Sequence, residues 1–212
     1  MTELFLVRHG ETDWNRERRV QGRTDVPLND TGRAQARAAG KLLARREWDS
    51  VLTSPLSRAS ETAAIIAREL GLAMPEPFAA AIERDYGQAE GLDFAALDAK
   101  WPGRKRAPGG ETREQVAGRF LPALLELAAQ RPGQALVIVS HGGAIRSALS
   151  SVSPPHAHEK ISNTSIHSFR VVDGSLQLIA FDDPIALESM ATTDPDFEFQ
   201  NAVEAHEEEG AA

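Results

Sequence analysis

The sequence predicts an α/β fold: a three-layer α/β/α sandwich with a mixed, mostly parallel sheet and a C-terminal β-hairpin at its edge. Two observations carry this expectation. Short apolar, β-rich runs alternate along the chain with stretches whose small and apolar residues recur at helical spacing, the pattern of strand–helix–strand units. Near the end, two strand-like runs, Ser165 to Val172 and Leu176 to Phe181, flank Asp173-Gly174, a pair suited to a hairpin turn.

Taken in order, Leu4 to Val7 is a continuous apolar run, as expected of a buried strand, and it ends abruptly at Arg8-His9-Gly10-Glu11-Thr12. A loop rich in Gly, Pro and Asp, Gln21 to Thr31, follows. Ala36, Ala39, Gly40 and Leu43 then recur at i, i+3, i+4 and i+7, one face of a helix. Ser50 to Thr53 reads as the second strand. Ser54-Pro55 predicts a helix start, with the serine side chain as N-cap and proline in the first helical position. Ala59, Thr62, Ala63, Ile66 and Leu70 give that helix its buried face. Residues 72 to 91 carry Pro75, Pro77 and several glycines, and read as loop around an extended piece near Phe78 to Ile82, just before Glu83.

Thr112-x-x-Gln115 has the form of a capping box, and Val116, Phe120, Leu124 and Leu127 continue that helix past Pro122, where it can kink. Ala135 to Val139 is a further apolar β-rich run, broken by Ser140-His141-Gly142-Gly143, with a helix starting at Ala144-Ile145-Arg146. The layout at His9 thus recurs at His141.

Length and composition set the scale. A chain of 212 residues, 42% hydrophobic and 25% charged, buries one substantial core, so the predicted organisation is a single domain over residues 1–182 with an acidic, solvated, flexible tail over 183–212. There is no cysteine, so packing must stabilise the fold without disulfides or thiolate metal sites. No basic leader precedes the first strand, and no apolar stretch nears the ~20 residues of a membrane span, which predicts a soluble, cytoplasmic protein. The net charge of -8 is concentrated in the tail, where Asp194, Asp196, Glu198, Glu204, Glu207, Glu208 and Glu209 occur without a Lys or Arg. The nearly neutral body can hold a local cationic pocket, and nothing in it favours nucleic acid.

The chemistry is concentrated where strands end. His9 and His141 each follow an apolar strand and each precede glycine, which puts both imidazoles at the strand ends where open α/β sheets bind ligands. Glycine there lets backbone approach a ligand closely. A single loop histidine is ordinary; two in matched contexts are not. Arg58 falls in the first turn of a helix, where the dipole disfavours a cation. It can pair with Glu61, worth ~0.2–0.5 kcal/mol, or serve an anion together with Arg8. Phosphate suits the second role, because guanidinium forks match its oxygens. His156-Ala-His158 has the spacing of a metal pair on a strand, but no third ligand is placed beside it, and a surface or lid loop is the better reading.

These residues lie in an ordered set of motifs: Leu6-Val7-Arg8-His9-Gly10-Glu11-Thr12 with Trp14-Asn15, Gln21-Gly22-Arg23-Thr24-Asp25-Val26-Pro27-Leu28, Ser54-Pro55-Leu56-x-Arg58-Ala59-x-x-Thr62-Ala63, Glu83 before Tyr86-Gly87, Gly109-Gly110-Glu111-Thr112, and Ser140-His141-Gly142-Gly143. In these the chain resembles the histidine phosphatase superfamily, the phosphoglycerate mutase-like family, over about residues 3 to 181. The resemblance implies that His9 is the nucleophile forming a phosphohistidine, that Arg8, Arg58 and His141 stabilise the transferring phosphoryl group, and that Glu83 is the acid and base. It further implies that Asn15, Gln21, Gly22 and Gly142 line the phosphate or its neighbour. On its own, Glu83 would read as a loop carboxylate paired with Arg84, and Asn15, Gln21 and Gly22 as turn residues.

The implied substrate is a small phosphorylated metabolite, with no metal and no cofactor. Cofactor-dependent mutases resembling this family carry a long insertion between the acid and the second histidine. Here the interval from Glu83 to His141 is short and holds Lys100, Arg104, Lys105 and Arg106 without a recognisable paired-arginine motif. The expectation is therefore a phosphatase, with phosphoglycerate mutase or a silent phospholigand-binding domain as alternatives. Specificity is expected in residues 84 to 110 and 152 to 163, and the expected assembly is a monomer or homodimer.

Overall fold

The computed structural model describes residues 1–102 and 107–183; Arg104, Lys105, Arg106 and the acidic stretch from residue 184 onward lie outside the described residues. Six strands form one sheet: β1 (Glu3–Arg8), β2 (Ser50–Thr53), β3 (Glu76–Pro77), β4 (Ala135–Ser140), β5 (Ile166–Val172) and β6 (Ser175–Ala180). Their order is β3-β2-β4-β1-β5-β6. β1 and β2 run parallel to β4, β3 runs parallel to β2, and β5 and β6 are antiparallel additions on the far side of β1. This is the predicted mixed, mostly parallel sheet with its hairpin at one edge.

The continuous apolar strands are explained by burial on both faces. Leu4, Leu6, Leu136 and Ile138 face one core with Val116, Phe120 and Leu124 of α5 (Arg113–Gln130) and Ile145 and Leu149 of α6 (Gly142–Val152). The alternate residues Phe5, Val7, Val137 and Val139 face a second core with Leu42 and Leu43 of α2 (Asp30–Leu43) and Ala59, Ala63 and Ile66 of α3 (Ser57–Leu70). Two cores on opposite faces of one sheet make three layers. A third, smaller cluster of Val20, Tyr86, Ala89 and Leu97 belongs to the loops after β1 and β3 and to α4 (Phe94–Lys100).

Local signals set several boundaries. Thr112 and Gln115 form the expected reciprocal capping box at α5, and Asn29 caps α2 through Gly32 N–H at 2.8 Å. A further capping box, Thr12 with Asn15, starts the one-turn α1 (Asp13–Arg16), which periodicity could not reveal in four residues. Two expectations are corrected. Ser54 is not the N-cap of α3: the helix begins at Ser57 behind Leu56, which makes no side-chain cap, because Ser54 Oγ is bonded to His141 Nε2 at 2.7 Å. The extended piece near Phe78 to Ile82 is instead β3 at Glu76–Pro77 followed by a 3-10 turn at Ala79–Ala81, whose last carbonyl accepts from Ser140 Oγ. The helix α4 was not anticipated; it is short and capped by Asp93. Among the described residues no helix is long and apolar enough to cross a membrane.

Candidate active site

β1 and β4 are adjacent and parallel, so Arg8 pairs in register with Ser140 and their carboxyl ends deliver His9 and His141 side by side. The two imidazole centroids are 5.1 Å apart. Both rings are buried, His9 at 2% and His141 at 0% exposure.

His9 Nδ1 donates to Gly10 O at 2.7 Å. A carbonyl can only accept, so this bond places the ring proton on Nδ1 and makes Nε2 the acceptor of the ring. Nε2 accepts from Arg58 Nε at 3.3 Å. Burial, with the charges of Arg58 and Arg8 added, holds His9 well below its ordinary value of 6.5, so the ring is neutral at physiological pH. Burial and the same two guanidiniums, with His9, act likewise on His141. His141 Nε2 shares its hydrogen bond with Ser54, and its buried Nδ1 has no partner among the described residues.

Arg58 enters from the first turn of α3, fully buried. Its Nη2 donates to Gly22 O at 2.7 Å and its Nη1 to Thr24 O at 2.9 Å. The alternative pairing with Glu61 does not form; Glu61 accepts from Arg33 Nε at 2.7 Å. Desolvation lowers Arg58 from 12.5 to about 10, with Glu83 and Asp25 opposing, so it stays cationic. Arg8, from the end of β1, donates through Nη1 to Ile161 O at 2.7 Å.

Glu83, 6% exposed, approaches the N-terminus of α6 from the other side. Its carboxylate accepts from Gly143 N at 3.1 Å, Ala144 N at 2.9 Å and Arg84 N at 2.7 Å. One of these contacts is to the Arg84 backbone, and the helix terminus takes the carboxylate as it would any anion.

Arg8, His9, Asn15, Gln21, Gly22, Arg58, Glu83 and Gly142 line one narrow cleft. Every predicted site residue is therefore in one place, with His141 immediately behind His9 rather than on the cleft wall. Gln21 is buried with its Oε1 unpartnered among the described residues, while Asn15 Oδ1 is spent on the Thr12 cap. The reason given for Gly10 needs correcting. A Cβ there would lie 2.4 Å from Gly32 O, so that glycine admits the α2 N-terminus rather than a ligand.

A protein family model described as "Histidine phosphatase superfamily (branch 1)" matches residues 4–184. The chain belongs to the histidine phosphatase superfamily. It is 39% identical over 183 residues to the uncharacterized phosphatase PhoE of Bacillus subtilis, covering 85% of this chain and 89% of that one. It is 38% identical over 185 residues to phosphoglycerate mutase-like protein 4 of Arabidopsis thaliana, 81% and 80% covered. Among solved structures it resembles mycobacterial glucosyl-3-phosphoglycerate phosphatase complexed with VO3, with a TM-score of 0.76 at 30% identity, 84% of this chain and 98% of that chain being covered.

In this superfamily member several cleft and support residues carry little or no signal in the sequence. Arg19, Tyr86 and Gly143 complete the lining. Tyr86 and Gly143 stood inside quoted motifs, which was the available signal; Arg19 had none. Asn163 Nδ2 donates to His9 O at 2.9 Å from a loop with no local pattern, and Thr62 Oγ1 accepts from Gly10 N at 3.1 Å. His156 of the His-Ala-His segment ends a 3-10 turn, with Nδ1 bonded to Ser153 Oγ at 2.8 Å.

Proposed function

We propose that this protein is a phosphomonoesterase that hydrolyses a small phosphorylated metabolite through a phosphohistidine on His9, residues 1–182 acting as one catalytic domain. The observation that carries the reading is the state of His9: neutral, tautomer set by Gly10, and Nε2 turned toward a guanidinium in a cleft that also holds a carboxylate.

In the first step the Nε2 lone pair attacks phosphorus, the P–O ester bond breaks, and the leaving oxygen takes a proton from Glu83. In the second, water gives a proton to the Glu83 carboxylate as its oxygen attacks phosphorus, and the N–P bond breaks to return neutral His9 and inorganic phosphate. Phosphoryl transfer passes through a loose transition state with charge on the equatorial oxygens, so positioned cations do most of the work. Arg8 and Arg58 supply fixed charge, and His141, grouped with them by the family resemblance, stands behind His9 with its Nδ1 unpartnered among the described residues. None of these steps uses a metal.

Phosphatase is preferred to mutase because the short interval before His141 lacks the basic insertion of the mutases. The test is turnover of para-nitrophenyl phosphate and of a panel of phosphorylated metabolites in the presence of a metal chelator. Chelation should leave the rate intact, and His9→Ala should abolish it with little change in melting temperature. A His9→Ala rate near wild type overturns the nucleophile assignment. Vigorous exchange between 3- and 2-phosphoglycerate with negligible hydrolysis would establish the mutase instead, and phosphate binding without any turnover the silent domain.

A further inference from the structure

Arg58 is useful to a phosphate only if its guanidinium plane is fixed. That plane is fixed by two main-chain carbonyls, Gly22 O and Thr24 O, in the loop between α1 and α2. Loop backbone is ordinarily the least rigid part of a fold, so something must hold these two peptides.

The holding group is Glu90. Its Oε1 accepts from Arg23 N at 2.9 Å, and its Oε2 accepts from Thr24 N at 2.9 Å and Thr24 Oγ1 at 2.5 Å. These N–H groups belong to the peptides that follow Gly22 and Arg23, so one carboxylate grips the turn from which both Arg58 acceptors project. Gly22 makes the grip possible. Its φ is +54°, and a Cβ there would lie 2.0 Å from Glu90 Oε1.

The same Oε1 also accepts from Tyr86 N at 3.3 Å, and the flanking backbone is zipped by Gly91 N to Val20 O at 2.8 Å and Val20 N to Leu92 O at 3.0 Å. Glu90 therefore ties the segment that carries Glu83 and Tyr86 to the segment that orients Arg58. It touches neither His9 nor, by any hydrogen bond in the structure, Arg58 itself; its negative charge does act favourably on the Arg58 cation through space.

We propose that Glu90 is a positioning residue of this active site, acting through the Gly22–Thr24 turn to hold the Arg58 guanidinium in its phosphate-binding plane. The inference rests on the reading of Arg58 as a phosphate clamp, and predicts an effect that appears in ligand affinity and rate and is transmitted by Arg58. Glu90→Gln keeps the size of the side chain but replaces one acceptor oxygen with an amide donor, facing the Thr24 N–H or the Arg23 and Tyr86 N–H groups.

The experiment is a double-mutant cycle of Glu90→Gln with Arg58→Met, read by binding of inorganic phosphate and of orthovanadate, and in parallel by kcat and KM. In the wild-type background Glu90→Gln should weaken orthovanadate binding at least tenfold and lower kcat as well as raise KM. In the Arg58→Met background the further loss should be under threefold. Glu90→Asp, which keeps the charge and both acceptors, should recover part of the loss.

A merely structural glutamate would lower the melting temperature and the folded fraction while leaving KM and orthovanadate affinity of the folded protein unchanged; that result, or an equal loss in both backgrounds, overturns the proposal. The binding arm does not need turnover. If the wild type binds phosphate but hydrolyses nothing, the phosphatase reading fails while the cycle still judges Glu90; if it binds no phosphate, both fall.

Discussion

Replacing Arg58 with methionine separates what this residue does for the fold from what it does for chemistry. The structure allows both terms to be sized. Loss of the guanidinium leaves Gly22 O and Thr24 O without their donor, at about 1–3 kcal/mol for the buried Gly22 O and less for the part-buried Thr24 O. Against this, a guanidinium held at about 10 rather than 12.5 carries a desolvation penalty on its charged form of roughly 3 kcal/mol, which methionine, of similar length and apolar, removes. The two terms nearly offset, so the melting temperature should move by only a few degrees in either direction. Catalysis has no such compensation. A cation aimed at the transferring phosphoryl group is worth about 3–4 kcal/mol in the transition state, so kcat/KM should fall by roughly 10²–10³-fold. The assay pairs calorimetric melting with steady-state hydrolysis of para-nitrophenyl phosphate. Near-wild-type kcat/KM together with a collapse of stability would refute the reasoning, because Arg58 would then be a structural tie between α3 and the Gly22–Thr24 turn.

Three further outcomes follow from the same contacts. Glu83→Gln removes the group that accepts the proton of the attacking water, so with para-nitrophenyl phosphate, whose leaving group needs little acid assistance, it should give a burst and accumulate phosphohistidine detectable by mass spectrometry; undiminished steady turnover without a burst would remove Glu83 from the mechanism. Gly143→Ala puts a Cβ 2.6 Å from Tyr86 Oη and 2.8 Å from Glu83 Oε1, a carboxylate tied down by three N–H groups. Alanine favours a helix over glycine by up to ~1 kcal/mol, so stability should hold while kcat drops at least tenfold, and a wild-type kcat would show that the acid has room to move.

The third concerns acid. His9 and His141 sit well below 6.5 and His167 lies at about 3, each chiefly through burial. Below pH 6.5 the unfolded chain binds protons that these folded imidazoles do not, so stability falls with pH by about 1.4 kcal/mol per unit for each ring. Asp182, raised by burial from 3.8 to about 6, acts oppositely between those values and offsets part of the loss. The urea midpoint should therefore drop steeply from pH 6.5 toward 4, and a flat midpoint across that range would contradict the neutral buried imidazoles.

The strands and the strand-end histidines were legible because their signal is local. A doubly covered parallel strand must be apolar throughout, so Leu4–Val7 and Ala135–Val139 announce themselves and also announce where they stop. The arginines were legible for a related reason, since Arg58 in a first helical turn and Arg8 at a strand end are both out of place without an anion. What stayed hidden depends on contacts between distant segments. Ser54 next to Pro55 has every local mark of a helix cap, yet its hydroxyl is claimed by His141 from β4, and no window around residue 54 contains that information. Asn163 and Glu90 are likewise unremarkable in their own neighbourhoods and acquire meaning only through His9 O and the Gly22–Thr24 turn. The helix α4 and the turn at Ala79–Ala81 are too short for periodicity to register.

The division of labour within the cleft follows from one occupancy. A helix N-terminus beside two strand ends would ordinarily be the place for a phosphate, since its free N–H groups and dipole already suit an anion. Here the N–H groups of Gly143 and Ala144 are taken by the Glu83 carboxylate. On the proposed reading, phosphate recognition therefore draws on the guanidiniums of Arg8 and Arg58, brought into the cleft on β1 and α3, the second of which stands against the dipole of its own helix. The cost of that placement is met locally, by Gly22 O and Thr24 O on Arg58 and by Ile161 O on Arg8. Oriented carbonyls hydrogen-bond the Arg58 cation, while the carboxylates of Glu83, Asp25 and Glu90 act on it through space. Committing the helix terminus to Glu83 thus fixes its carboxylate on the wall of the cleft that His9, Arg8 and Arg58 also line.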